Sequence, residues 1–167
     1  MNEDVTFETL PVPYSLGTVR FRPTIESIKK LGYGVDDETG WLLGDPKAPL
    51  AHPVVLSTYI WWPQGFYIQE EGAVGHFKMF MDQFPNLFEY PYLHAKTHAR
   101  FISPFKAGEE IVAKVGICEK YIRRAREFVV IEALFSTREG AQIAEYRHTI
   151  MVRSHAPIRG IASGETK

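Results

Sequence analysis

The sequence predicts an α+β domain in which an antiparallel sheet wraps around one buried helix. Two observations carry this. From residue 93 to 153 apolar and polar side chains alternate with a period close to two, the pattern of strands with one face buried. Upstream, "PVVLSTYIWW" (53–62) is apolar on nearly every side, which only a buried helix tolerates. A helix that must be buried and strands that must cover one face satisfy each other by packing together.

Each element follows from local chemistry. "GTVRFRP" reads as a short first strand. "TIESIKKLGYG" follows as a short helix, with Thr24 placed to cap it and Gly32 or Gly34 to end it. Pro53 sits well at the first helical position of the apolar segment, where its missing N–H costs nothing. The β-branched residues there make it a weak helix former, so packing must hold it. "GAVGHFKMFMDQFP" predicts a further helix. In "LHAKTHARFIS" the alternation puts Leu93, Ala95, Thr97, Ala99 and Phe101 on one face and His94, Lys96, His98 and Arg100 on the other. "SPFKAGEE" breaks the chain with Pro104 and Gly108. "IVAKVGICEKYIR" is the next strand, with Ile111, Ala113, Val115 and Ile117 on one face. "REFVVIEALFST" is nearly continuous in apolar residues and predicts burial on both sides. "REG" turns the chain into "AQIAEYRHTIMVR". These four strands, joined by short connections, predict a meander. Residues 1–153 then form one domain, and 154–167 a small, polar, mobile tail.

Composition narrows the function. The chain has 167 residues, enough for one hydrophobic core, and a net charge of −1, which gives no overall field for nucleic acid or a membrane surface. Its single cysteine, Cys118, allows no internal disulfide and no thiolate zinc cage, so a reducing cytoplasm is the expected location. "MNEDVTFETL" is acidic and lacks the apolar core of a secretory signal. The stretch between Pro53 and Pro63 is too short to span a bilayer. His94 and His98 lack the helix and the glutamate of a zincin motif, so no metal is expected. Ser57 and Thr58 lack a nucleophile elbow. "KYIRRAR" is a basic connection in a chain that is otherwise not basic, and it reads as a hairpin with surface charge.

At this point the residues resemble a family. "PLAHPVVLS" resembles the "PIAHGM" segment of the MaoC-like dehydratases and (R)-specific enoyl-CoA hydratases. "SPFKAGEEI" is similar to that family's lead into a sheet strand, and "REGAQIAEYRHTIMVR" to its closing hairpin. The likeness runs over residues 15–153 and implies the hotdog fold. It also implies hydration or dehydration of enoyl- or 3-hydroxyacyl thioesters, a hydro-lyase reaction of fatty acid or polyketide metabolism. The substrate would arrive on coenzyme A or phosphopantetheine, with no other cofactor. Two hotdogs would assemble, as a homodimer or with a different hotdog chain.

The resemblance breaks at the chemistry. Active members carry an Asp and a His five residues apart, one to position water and one to handle the proton. "VDDETGW" keeps Asp36 at the acid position but sets Trp41 at the histidine, and an indole cannot exchange a proton at neutral pH. A glycine N–H that follows the family histidine holds the thioester oxygen; here Pro53 has none, leaving the amide of Val54 as the substitute. His52 could act as base beside Asp36 or Asp37, but the larger share goes to a His52 that caps the helix or sits in a hydrogen-bonded core site. The expected substrate-binding residues are Trp41, Val54, Trp61, Trp62, Phe66, His94 and Arg100. The aromatic stretch from Trp61 to Tyr92 would line an acyl pocket or a subunit interface. The face with His94 and Arg100 would meet the phosphates of the carrier arm, or serve as an ordinary solvated face. Three functions stay open: a hydratase with a relocated pair, a non-catalytic hotdog serving a motif-bearing partner, and a thioesterase.

Overall fold

The structure is a computed structural model that describes residues 5–26, 28–29, 50–51, 55–56, 75–88 and 92–154. Five strands form one antiparallel sheet: β1 (Tyr14–Phe21), β2 (Leu93–Phe101), β3 (Ile111–Arg123), β4 (Arg126–Thr137) and β5 (Gln142–Ser154). Their spatial order is β1-β3-β4-β5-β2. Helix α1 (His76–Gln83) and a 3-10 turn at Pro85–Phe88 precede β2.

Two tight turns set the centre of the sheet. Between β3 and β4, Arg124 (φ 52°) and Ala125 (φ 56°) both take the left-handed conformation, the backbone of a two-residue hairpin whose twist matches the strands. Between β4 and β5, Gly140 (φ 93°) takes the conformation that a side chain would resist, and its N–H donates to the carbonyl of Thr137.

The predicted meander holds only for β3, β4 and β5. β2 pairs with β5 at the far edge, and β1 takes the place beside β3. The segment between β2 and β3 is therefore a crossing, not a turn. It is pinned along the way: Ala51 N–H donates to the Phe105 carbonyl, Gly108 N–H to that of Pro23, and Phe105 is buried.

One face of the sheet carries the core. Phe7, Leu10, Leu16, Phe77, Phe80, Phe84 and Leu87 pack on Val115, Ile117, Val129, Ile131, Ile150 and Val152. Beside them, Val19, Phe21, Ile28, Val55 and Leu56 pack on Ile111, Ala113, Ala133, Phe135 and Tyr146. A fully buried ring such as Phe80 contributes about 1.5–3 kcal/mol through its removal from water. Of the expected buried helix, Val55 and Leu56 are described; both are helical and fully buried. Of the helix after Thr24, residues 25–26 and 28–29 are helical, and Ile28 N–H donates to the Thr24 carbonyl. β4 is central, but its second face is only partly covered: Leu134 is 37% exposed. The continuous apolar run reflects its central place in the sheet, not two dry faces. Among the described residues no helix is long and apolar enough to cross a membrane. The tail beyond Ser154 lies outside the described residues.

Candidate functional site

Of the expected site residues, Asp36, Asp37, Trp41, His52, Val54, Trp61, Trp62 and Phe66 lie outside the described residues. His94 and Arg100 are both on β2, but not on one face. His94 pairs with Ile150 and Lys96 with Thr149, so Ala95 is an extra residue and forms a β-bulge. The bulge turns His94 onto the core-side face with Thr97, leaving Lys96, His98 and Arg100 on the opposite face. Strict alternation placed His94 with the cations, and one inserted residue reverses that.

The consequence is a polar cluster on the core-side face. Thr97 and His148 are direct cross-strand partners on β2 and β5. The Thr97 hydroxyl lies 2.7 Å from His94 Nε2 and 3.2 Å from His148 Nδ1, bridging the two imidazoles. A hydroxyl that donates to one ring and accepts from the other couples the tautomers of both. Tyr146, two residues before His148 on the same face, stacks on its ring at 5.8 Å. Further inside, His76 at the start of α1 packs on Phe135 at 5.5 Å, and Phe135 in turn meets Tyr146 at 5.7 Å.

Burial decides the protonation of this cluster. His148 is held down to about 4, first by burial and then by the nearby charge of His94. His76 is held down to about 3 by burial and then by His148. The Tyr146 phenol is pushed up to about 12 by burial. At neutral pH His148 and His76 are therefore uncharged and weak proton acceptors, able to orient and hydrogen-bond but poorly matched to general-base work. His76 Nδ1 is buried with no hydrogen-bond partner among the described residues.

On the opposite face the charges are largely matched. Arg147 Nη2 lies 2.7 Å from Glu132 Oε1, and Arg100 Nη1 lies 3.8 Å from Glu145 Oε2. Among the described residues no group of three acidic, histidine or cysteine side chains could hold a metal ion. Cys118 is the extra residue of a bulge in β3; its thiol is pushed up, first by burial and then by Glu132.

No family model and no curated protein matches this sequence. Solved structures do match. A monoamine oxidase regulatory protein from Archaeoglobus superposes with a TM-score of 0.62 at 14% identity, over 92% of this chain and 96% of that one. The (R)-hydratase from A. caviae involved in PHA biosynthesis gives 0.59 at 14% identity, over 87% and 99%. The HadBC (3R-hydroxyacyl-ACP dehydratase) complex from Mycobacterium tuberculosis gives 0.58 at 14% identity, over 85% and 98%. This chain has the hotdog fold of the MaoC-like dehydratases and (R)-hydratases.

Within this hotdog, sequence reasoning singled out His94 but passed over Thr97, Tyr146, His148 and His76 as site candidates. The signal for two of them was available: Tyr146 and His148 are two apart in a strand, hence on one face. Their meeting with Thr97 depends on the β2–β5 register, which the sequence does not display.

Proposed function

We propose that this hotdog binds acyl thioesters and takes part in adding water to, or removing it from, their α,β double bond. The observation that carries this reading is the nearly end-to-end structural likeness to an (R)-hydratase and a 3R-hydroxyacyl-ACP dehydratase, shared by a chain whose "PLAHP" and "SPFKAGEEI" segments resemble that family's. The acyl group would be carried on coenzyme A or a phosphopantetheine arm in fatty acid or polyketide metabolism, in the cytoplasm. The working assembly is two hotdogs. The HadBC structure, a complex, supports that assembly by analogy.

A second reading, that this chain is the non-catalytic subunit beside a motif-bearing partner, is favoured by a specific observation. The two deeply buried histidines, His76 and His148, are kept uncharged and weakly basic, and Trp41 stands where the family carries its histidine.

Hydration of a panel of trans-2-enoyl-CoA esters by the purified chain separates the two. Turnover that disappears in both Asp36→Asn and His52→Ala establishes a relocated pair. No turnover by a folded sample that still binds the esters assigns the chain to the helper role. Neither turnover nor binding rejects the acyl-thioester reading.

A further inference from the structure

The hairpin that joins β3 to β4 ends in a cationic tip. Residues 120–126, "KYIRRAR", contain no acid, and Arg123, Arg124, Ala125 and Arg126 are all exposed. Arg123 and Arg126 are direct cross-strand partners, so two like charges share one rung of the ladder. Arg124 and Ala125 turn the chain with φ of 52° and 56°, a left-handed backbone that glycine or asparagine takes more easily. Elsewhere arginines are matched: Arg20 and Arg22 meet Glu110, Arg100 meets Glu145 and Arg147 meets Glu132. Among the described residues no carboxylate lies within ion-pair distance of Arg123, Arg124 or Arg126. Glu127 is fully buried on the other face, and Glu119 lies four residues back along β3.

The tip also carries apolar groups. Ile122 is 62% exposed, more than any other large apolar side chain among the described residues. Tyr121 and Phe128 stack at 5.1 Å on the face that holds Arg123 and Arg126. Arginine beside aromatic and apolar side chains is the mixture found at the centres of protein–protein interfaces. Three cations on a chain of net charge −1 are too few to hold a nucleic-acid backbone, and one isoleucine is too little apolar surface to anchor in a bilayer. We propose that the β3–β4 tip docks an acidic segment of a partner protein, with carboxylates on Arg123, Arg124 and Arg126 and an aliphatic side chain on Ile122. The partner's carboxylates relieve the like-charged rung. The tip sits at the far end of β3, about 40 Å along the strand from the end where Ala51 N–H meets the Phe105 carbonyl. Docking there is independent of the acyl-thioester reading and leaves that end of the sheet open.

The probe is a fluorescein-labelled peptide of glutamates with interspersed leucines, titrated with the full chain at low and high salt. Arg126→Glu should weaken binding by roughly tenfold or more. The same change should raise the melting temperature, because Arg123 then faces a carboxylate. Arg123→Gln, which removes the repulsion without adding a charge, should move both readouts in the same directions. Ile122→Ser should weaken binding of this peptide but not of one with serine in place of leucine. Lys96→Gln, on the distant strand β2, should change nothing. Equal weakening by Lys96→Gln reduces the tip to general surface charge and overturns the site. A fall in melting temperature in both arginine variants overturns the like-charged rung as a feature kept for binding. No peptide binding, or preferential binding of inorganic pyrophosphate or phosphatidylserine vesicles, overturns the protein partner.

Discussion

The two edge strands of the sheet are similar in length and differ in how they meet water. β1 spans eight residues and buries Leu16, Val19 and Phe21, whereas β2 spans nine and buries none. Both contain a bulge. In β1 the register shifts between Ser15 and Gly17, and the carbonyl of the extra residue, Leu16, accepts a hydrogen bond from Gln83 Nε2 of α1 at 2.9 Å. The chain before β1 is tied down as well, because Lys120 Nζ donates to the carbonyls of Phe7, Glu8 and Leu10. On β2 the bulge instead brings His94 to Thr97, and all nine residues of the strand are exposed. β1 buries part of one face and receives one hydrogen bond from α1, whereas β2 stays exposed along its whole length. The lesson is that a bulge has no fixed meaning, and what receives its displaced groups decides whether it ties a strand to a helix or gathers polar side chains.

Mutations on the two sides should separate these roles. The largest effect is expected in the core beside β1, where Phe80→Ala removes a fully buried ring and should cost about 3–5 kcal/mol in a urea unfolding midpoint series. Next comes acid. His148 is depressed in the folded state to about 4 from 6.5, so the unfolded chain binds the extra proton between those values. His148 by itself should therefore leave stability intact above about pH 6.5 and lower it by up to about 1.4 kcal/mol per pH unit as the pH drops toward 4, with His76 adding a fall of the same sign. Urea midpoints at pH 7 and pH 5 should differ less in His148→Gln than in the wild type; an equal drop in both would remove His148 as the cause.

At the β1–β3 seam, a Cβ on Gly116 would lie 2.9 Å from the Tyr14 carbonyl oxygen. Gly116→Ala should cost about 1–3 kcal/mol by forcing the strands apart, visible as a lower melting temperature. Lys120→Met leaves three carbonyls without their cation and should cost about 1–3 kcal/mol, with earlier proteolytic cutting before residue 14. On the exposed edge, Phe101→Ala should cost the lone chain only about 1 kcal/mol, because its ring is half in water already and its contact is the edge-to-face pair with Tyr146. A large loss there would show that β2 is covered in the lone chain, and would break the contrast between the edges.

Much of the fold was legible. The period-two alternation located β2 to β5 within a residue or two, Gly140 marked a true hairpin, and the aromatic run after Gly75 contains the helix His76–Gln83 with Phe77 and Phe80 buried. The candidate site was much less legible. His94 was assigned to the wrong face because one extra residue, Ala95, inverts everything before it relative to everything after. Tyr146 and His148 share a face by alternation alone, yet nothing local says that the neighbouring strand is β2 rather than β3.

What the sequence determined by itself are the properties set within a few residues: which stretches are strands, where they turn, which face of each is apolar, and that a hydrophobic segment near Pro53 must be buried. Those follow from backbone sterics and from the cost of leaving apolar surface in water. What only the tertiary structure decided is which strands become neighbours and in which register. That choice sent β2 to the far edge, brought Thr97 between His94 and His148, and kept His148 uncharged. It depends on contacts between residues some fifty positions apart, Thr97 and His148 among them, whose pairing is selected by the whole sheet and its bulges rather than by any segment alone.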